Sequence, residues 1–232
     1  ETMSVHNALP GFDPPDRRAA RARLEALTGF GPDDVWTWFH SASFGFSVWE
    51  LFGALLHGGC LVIVPEHIRQ DPAALGELIA DEGVTVFSQT PSAYRRLLHD
   101  ERFHTSVAGS QLRYLALSGE AIRRDDIAGW LARGHRARLI NTYAITETAG
   151  QLTLRIYGPD DATEEGARNL GRPLTGREVL VLDAEGRPVA DGVAGGRIVR
   201  AHSRHRTGRD QRALRQRPLV LEVAAQCAAT DG

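Results

Sequence analysis

The apolar positions of this chain switch between two periods, and each switch marks an element. Over residues 47–56 the spacing Val48, Leu51, Phe52, Leu55 is helical, and Gly58-Gly59 breaks it before the apolar run 60–64, which reads as a buried strand. Asp71 then suits a helix cap with Pro72 at the first position, Leu75, Leu78 and Ile79 on one face, and Gly83 at the end. Residues 84–87 read as the next strand, and Thr90-Pro91 opens a helix carrying Tyr94, Leu97 and Leu98. A strand over 112–117, a helix over 124–133 and a strand over 138–141 complete the series. Strands alternating with helices in this way predict successive βαβ units and a mainly parallel sheet, an α/β fold. Before the series, Pro14-Pro15, Leu24, Leu27 and Gly29 predict a short helix over 13–29.

Past residue 170 the texture changes. "REVLVLD" and "RPVADG" flank Ala184-Glu185-Gly186, the pattern of a β-hairpin or meander turning at the glycine. From 197 to 217 there are eight arginines and one acid, Asp210, with no apolar period. Three regions result: an α/β lobe over 1–169, a β-hairpin region of the same domain over 170–196, and an irregular arginine-rich tail over 197–232.

Composition narrows the classes. The 232 residues are 42% hydrophobic and 24% charged, enough for a buried core. A net charge of −2 gives no field suited to nucleic acid or anionic membrane. Two cysteines, Cys60 and Cys227, are too few for a disulfide scaffold, and a reducing, cytoplasmic setting is expected. No apolar stretch reaches membrane-spanning length, and no secretory signal opens the chain.

Ligands of open parallel sheets bind outside the carboxyl ends of the strands. Those ends carry Ser88-Gln89-Thr90, Ser118-Gly119-Glu120 and Asn141-Thr142-Tyr143. Helix caps and turns favour the same residue types, so each triplet alone reads equally as a cap. Three of them on one edge also read as a binding edge.

Five stretches in order, "FGFSVWELFGALLHGGCLVIVP" (44–65), "VTVFSQTPSAYRRLL" (84–98), "LRYLALSGEAI" (112–122), "NTYAITET" (141–148) and "LGRPLTGREVLVLDAEGRPV" (170–189), resemble the core motifs of the adenylation domains of non-ribosomal peptide synthetases. These belong to the adenylate-forming ligases, and the resemblance runs over about residues 31–196. It implies the large domain of such a ligase, with ATP and Mg²⁺ as cofactors and a carboxylic acid (amino, hydroxy, keto or aryl) as substrate. The reaction implied is condensation of that acid with ATP to an acyl-adenylate and pyrophosphate. By the resemblance, Tyr143 and Asn141 face the adenine, Thr146 donates to a phosphate oxygen, and Glu147 holds Mg²⁺; Thr146 and Glu147 are the implied catalytic pair. Ser118, Gly119, Glu120 and Thr142 join them on the nucleotide side. Ala144 departs from the glycine usual in the family. The underlying picture sets Tyr143, Thr146 and Glu147 at the rim of the sheet, facing one hollow with Ser118 and Gly45.

The same resemblance implies an acid pocket lined by Gly45, Phe46, Trp49, Ser88, Ala116, Ser118, Thr142, Gly150 and Gln151. Members that activate α-amino acids usually have aspartate where this chain has Gly45, and a buried ammonium without that partner costs several kcal/mol in effective terms. An acid lacking a free α-ammonium is therefore expected, the alternative being that Gly45 is a drifted position. Phe46 and Trp49 read equally as core aromatics. His40 reads either as a gate on the carboxylate path, by resemblance to related ligases, or as a structural histidine. A carrier protein is the partner usual for the family.

All 27 basic residues are arginine. The family's phosphate loop, with its lysine, is expected before "MSVHNAL", and its catalytic lysine in a smaller C-terminal domain. "RTGRD" (206–210) is a near miss to the family's ribose-binding R-T-G-D, and the tail is expected to be out of frame or unrelated rather than a nucleic-acid-binding arm. The functional alternative to a ligase is a catalytically inactive remnant or a nucleotide- or partner-binding module.

Overall fold

The computed structural model describes residues 28–144, 151–174, 178–183, 187 and 197–201. The chain divides into two compact units, Glu1–Arg172 and Pro173–Gly232.

In the first unit the elements run β1 (Val35–Trp38), α1 (Phe46–His57), β2 (Cys60–Ile63), α2 (Pro72–Asp81), β3 (Val86–Gln89), α3 (Pro91–Leu98), α4 (Glu101–Ala108), β4 (Tyr114–Leu117), α5 (Arg124–Ala132), β5 (Arg138–Tyr143), β6 (Thr153–Ile156) and α6 (Glu164–Arg168), with β7 (Arg172–Pro173) at the boundary. The sheet order is β2-β1-β3-β4-β5-β6-β7. Strands β1 to β5 pair in parallel, and β6 runs antiparallel to β5. The mainly parallel α/β sheet expected from the sequence is thus present, with a reversal at one side.

Local chemistry explains the element ends. Asp71 accepts from the backbone N–H of Ala73 and Ala74, and Thr90 accepts from Ala93, each ahead of a proline at the helix start. Asp100 caps α4, a helix the apolar spacing did not mark, by accepting from Arg102 and Phe103. Gly58 closes α1 in the left-handed region, at φ 75. Strand β3 begins two residues later than the sequence pattern placed it. Strand β2 lies at the edge of the sheet, and within the run 60–64 Leu61, Val62 and Val64 are buried as expected while Ile63 is exposed. The helix expected over 13–29 lies outside the described residues except for its last two.

Alternation along the registered strands gives the sheet two faces. One face turns Phe87, Leu115, Leu117 and Leu139 toward Tyr94, Leu97, Phe103, Ile127 and Trp130 of the helices and forms the main core. Burying each such side chain is worth about 1.5–3 kcal/mol. The other face carries Trp36, in register with Val86, and is covered by α1. There the rings of Phe30, Trp36 and Trp49 meet edge to face at 4.7, 5.5 and 5.9 Å. Helix α1 buries Phe46, Trp49, Glu50, Ala54 and His57, while Val48, Phe52 and Leu56 are exposed. The helical period read from the sequence is right, but the residues that defined it are not those against the sheet.

In the second unit, β8 (Glu178–Leu182) pairs antiparallel with β9 (Arg197–Ala201). Asp183 and Arg187 are joined by backbone and side-chain hydrogen bonds of 2.8–3.0 Å, and the expected turn residues Ala184-Glu185-Gly186 lie outside the described residues. The partner strand of β8 therefore comes from the first residues of the segment set apart as a tail.

Candidate active site

Strand register assembles most of the acid-pocket residues on one face. Ser88 pairs with Ala116, and Ala116 with Ile140. One step further along, beyond the end of β4, Ser118 comes opposite Thr142. All four project to the face covered by α1, which supplies Phe46 and Trp49 from its inward side. Gly45 is the residue before that helix, with φ −55 and no side-chain cap. A Cβ added there would meet nothing within 4 Å. Trp36, Trp38 and Glu50 share this face and were not among the expected pocket residues. The one trace of the two tryptophans in the sequence is the alternating "VWTW" of β1, a run too short to mark a strand by itself.

The strand positions expected to line the acid pocket on this face are small and uncharged. Ser118 donates its hydroxyl to the carbonyl oxygen of Thr142. Ser88 Oγ, Thr142 Oγ1 and Trp49 Nε1 are buried with no hydrogen-bond partner among the described residues. A buried unsatisfied group costs about 1–3 kcal/mol, so these hydroxyls suit a site that receives a polar ligand. Gln151 Oε1 is in the same condition beyond the start of β6, and both amide atoms of Gln89 are so on the opposite face.

The turn after β4 is fixed by two contacts. Gly119 has φ +88, which disfavours other residues, and a Cβ there would stand 3.0 Å from the tip of the exposed Phe44 ring. Glu120 accepts from the backbone N–H and the hydroxyl of Ser92, at 3.0 and 2.7 Å. Its carboxylate caps the start of α3, where the helix dipole favours an anion. Its observed engagement is thus with that helix.

Asn141 and Tyr143 alternate to the face opposite Ser118 and Thr142. Asn141 is buried beside Tyr157, whose hydroxyl pKa is pushed up to about 12, chiefly by burial and against the effect of the Asn141 amide. Of the expected nucleotide residues, Ser118 and Thr142 thus lie on the face of the expected acid pocket, while Asn141 and Tyr143 share its carboxyl edge and alternate to the other face. Thr146, Glu147 and Gly150 lie outside the described residues. No group of three or more His, Cys, Asp or Glu suited to a metal ion occurs among the described residues.

His40 stands just past β1 on the pocket face. Its Nδ1 lies 2.9 Å from Glu50 Oε1, and its backbone N–H donates to Glu50 Oε2 at 3.1 Å. Its ring rests against Phe44 and Phe46, at 5.4 and 5.1 Å between centroids.

Comparison with known proteins defines the class. The family model for AMP-binding enzymes matches residues 17–203, and the chain belongs to that family. It is 43% identical over 169 residues to syringomycin synthase of Pseudomonas syringae pv. syringae, covering 72% of this chain and 27% of that protein. It is 41% identical over 177 residues to a dimodular nonribosomal peptide synthase of Bacillus subtilis (strain 168), covering 75% of this chain and 7% of that protein. Among solved structures, an NRPS protein containing adenylation and PCP domains superposes with a TM-score of 0.67 at 28% identity, over 80% of this chain and 37% of that one. The chain thus spans about a quarter or less of the length of these curated relatives. The family match runs seven residues past 196, to 203, and takes in β9. No helix among the described residues is long and apolar enough to cross a membrane.

Proposed function

We propose that this chain is the core part of an adenylation domain that activates a carboxylic acid with ATP, as an acyl-adenylate, for peptide synthesis of the non-ribosomal type. The observation that supports it is the row of small, uncharged positions on one face of the sheet, where Ser88 and Thr142 have buried hydroxyls without a partner among the described residues; Trp36, Trp49 and Phe46 lie toward the β1 side of that face. Such a row orients an acid through neutral hydrogen bonds while the aromatic rings exclude water. The strand ends at Asn141 and Tyr143 leave the nucleotide to the adjoining edge. Mg²⁺, when bound, neutralises phosphate charge, and Thr146 and Glu147 are the residues that would hold it and the phosphates.

The acid is one without a free α-ammonium. Gly45 offers no counter-charge, and the one buried carboxylate on α1, Glu50, is engaged with His40. A carrier protein is the expected acceptor of the activated acid, as the adenylation and PCP pairing in a structural neighbour suggests. The family sequence is taken to end near residue 203, with the remaining arginine-rich segment unrelated to it.

A second reading is ligand binding without turnover by these 232 residues on their own, whose 27 basic residues are all arginine. ATP–pyrophosphate exchange over paired acids, each α-amino acid beside its hydroxy and keto analogues, tests both. Exchange with the deaminated acids is expected. Exchange confined to the amino acids removes the substrate assignment, and calorimetric acid binding with no exchange leaves the second reading.

A further inference from the structure

Helix α1 turns a carboxylate toward the sheet, and the side chain of Glu50 there is 0% exposed. A buried carboxylate is costly unless its oxygens are satisfied. Both are satisfied by one residue: Oε1 by the ring of His40 and Oε2 by the backbone N–H of His40. A carboxylate only accepts, so His40 Nδ1 bears the proton and Nε2 is left as the ring's second polar atom. The pair also closes a loop of chain, 40–50, that contains Gly45, Phe46 and Trp49. The contacts continue outward. The imidazole rests on Phe44 and Phe46, and Phe44 fills the space that a Cβ at Gly119 would need.

Building on the ligase reading above, we infer that Glu50 is a positioning residue for adenylation: it holds His40 in one tautomer and thereby sets the wall of the acid pocket formed by Phe44, Gly45 and Phe46. Stability alone does not account for it. Replacing a whole buried ion pair by apolar residues of similar volume is often neutral or stabilising. What the carboxylate adds is the combination of a fixed ring, a fixed tautomer and a fixed backbone at the mouth of the pocket.

Glu50→Gln isolates this role. The amide oxygen still accepts from the His40 backbone, so the NH₂ faces Nδ1 and the proton moves to Nε2. Nitrogen-15 NMR of the imidazole reads the tautomer, thermal unfolding reads the fold, and ATP–pyrophosphate exchange separates KM for the acid from KM for ATP. The expected result is a reversed tautomer and a rise of about tenfold in the acid KM. KM for ATP and the melting temperature stay within error of the parent chain, and Glu50→Asp restores part of the acid KM. An unreversed tautomer with an unchanged acid KM overturns the clamp. A fall in melting temperature with both KM values rising together reduces Glu50 to a structural residue. A parent chain that neither binds nor exchanges any acid removes the ligase reading and the pocket role with it. The tautomer comparison then reports on the Glu50–His40 contact by itself.

Discussion

Ser118, one residue past β4, hydrogen-bonds across to the main chain of Thr142 in β5, and so ties together the ends of two strands that carry the candidate site. The hydroxyl of Thr142 itself has no partner among the described residues. Two neighbouring hydroxyls thus stand differently: one is engaged within the fold, and the other is, on the proposed reading, left for a ligand. Ser118→Ala should destabilise the fold by about 1–3 kcal/mol, since a buried carbonyl loses its donor. Thr142→Val, which removes an unsatisfied group of the same shape, should leave stability unchanged or slightly higher while lowering acid affinity by about tenfold. Urea titration and calorimetric acid binding check the pair, and equal stability losses in both variants would contradict the division of roles.

Gly53 sits in the middle of α1, where helix propensity favours alanine by roughly 1 kcal/mol. Packing opposes it, because a Cβ there would stand 2.4 Å from the fully buried Trp36 ring. Overpacking of this kind costs about 1–3 kcal/mol, so the steric effect wins. Gly53→Ala should lower the urea midpoint and change the near-ultraviolet signal of the tryptophan cluster. A more stable variant would mean that α1 slides freely on the sheet.

Acid should weaken the fold through two histidines far from the site. His104 Nε2 lies 2.9 Å from the carbonyl of Leu98, so it bears a proton, and its Nδ1 accepts from His135 Nε2 at 2.8 Å. Burial holds His104 below its ordinary pKa, and burial, then the charges of His104 and Arg133, push His135 down to about 4. The unfolded chain therefore binds more protons below pH 6.5. The stability these residues confer is full above that value and is lost as pH falls from 6.5 toward about 4. Urea midpoints across this window should decline in the parent chain. A His104→Gln/His135→Leu double variant should flatten the decline, whatever its absolute stability.

Gly45 has room for a side chain, and its φ of −55 is open to any residue. Gly45→Asp should therefore fold normally and add about 0.3–1 kcal/mol through the dipole of α1. If the pocket assignment is right, the same change moves exchange activity from deaminated acids toward α-amino acids. A stabilised variant with unchanged acid preference would place Gly45 outside the pocket.

The βαβ order was legible because Asp71, Thr90 and the apolar runs after Gly58-Gly59 obey local rules of capping and period. Local rules also account for what was not. Helix α1 offers two apolar stripes, and spacing alone picked Val48 and Phe52, whereas the stripe packed on Trp36 is the one with Trp49 and Gly53, where a Cβ would overlap the Trp36 ring. Strand β1 is four residues long, too short for its alternation to stand out. For the site, the pocket residues followed from family motifs, and strand register then placed Ser88, Ala116, Ser118 and Thr142 on one face. The partners of Glu50 and Glu120 were not legible, because each pairs with a residue whose distance depends on the tertiary fold.

Because β6 runs back against β5, the chain leaves and re-enters the sheet on the same edge, and Leu152 N–H closes the pair on the Tyr143 carbonyl at 2.8 Å. A connection between two fixed posts is a replaceable cassette. Segments of other lengths grafted between Tyr143 and Leu152 would rejoin the same edge, so on the proposed reading the stretch that carries Thr146 and Glu147 is exchangeable without rebuilding the parallel strands.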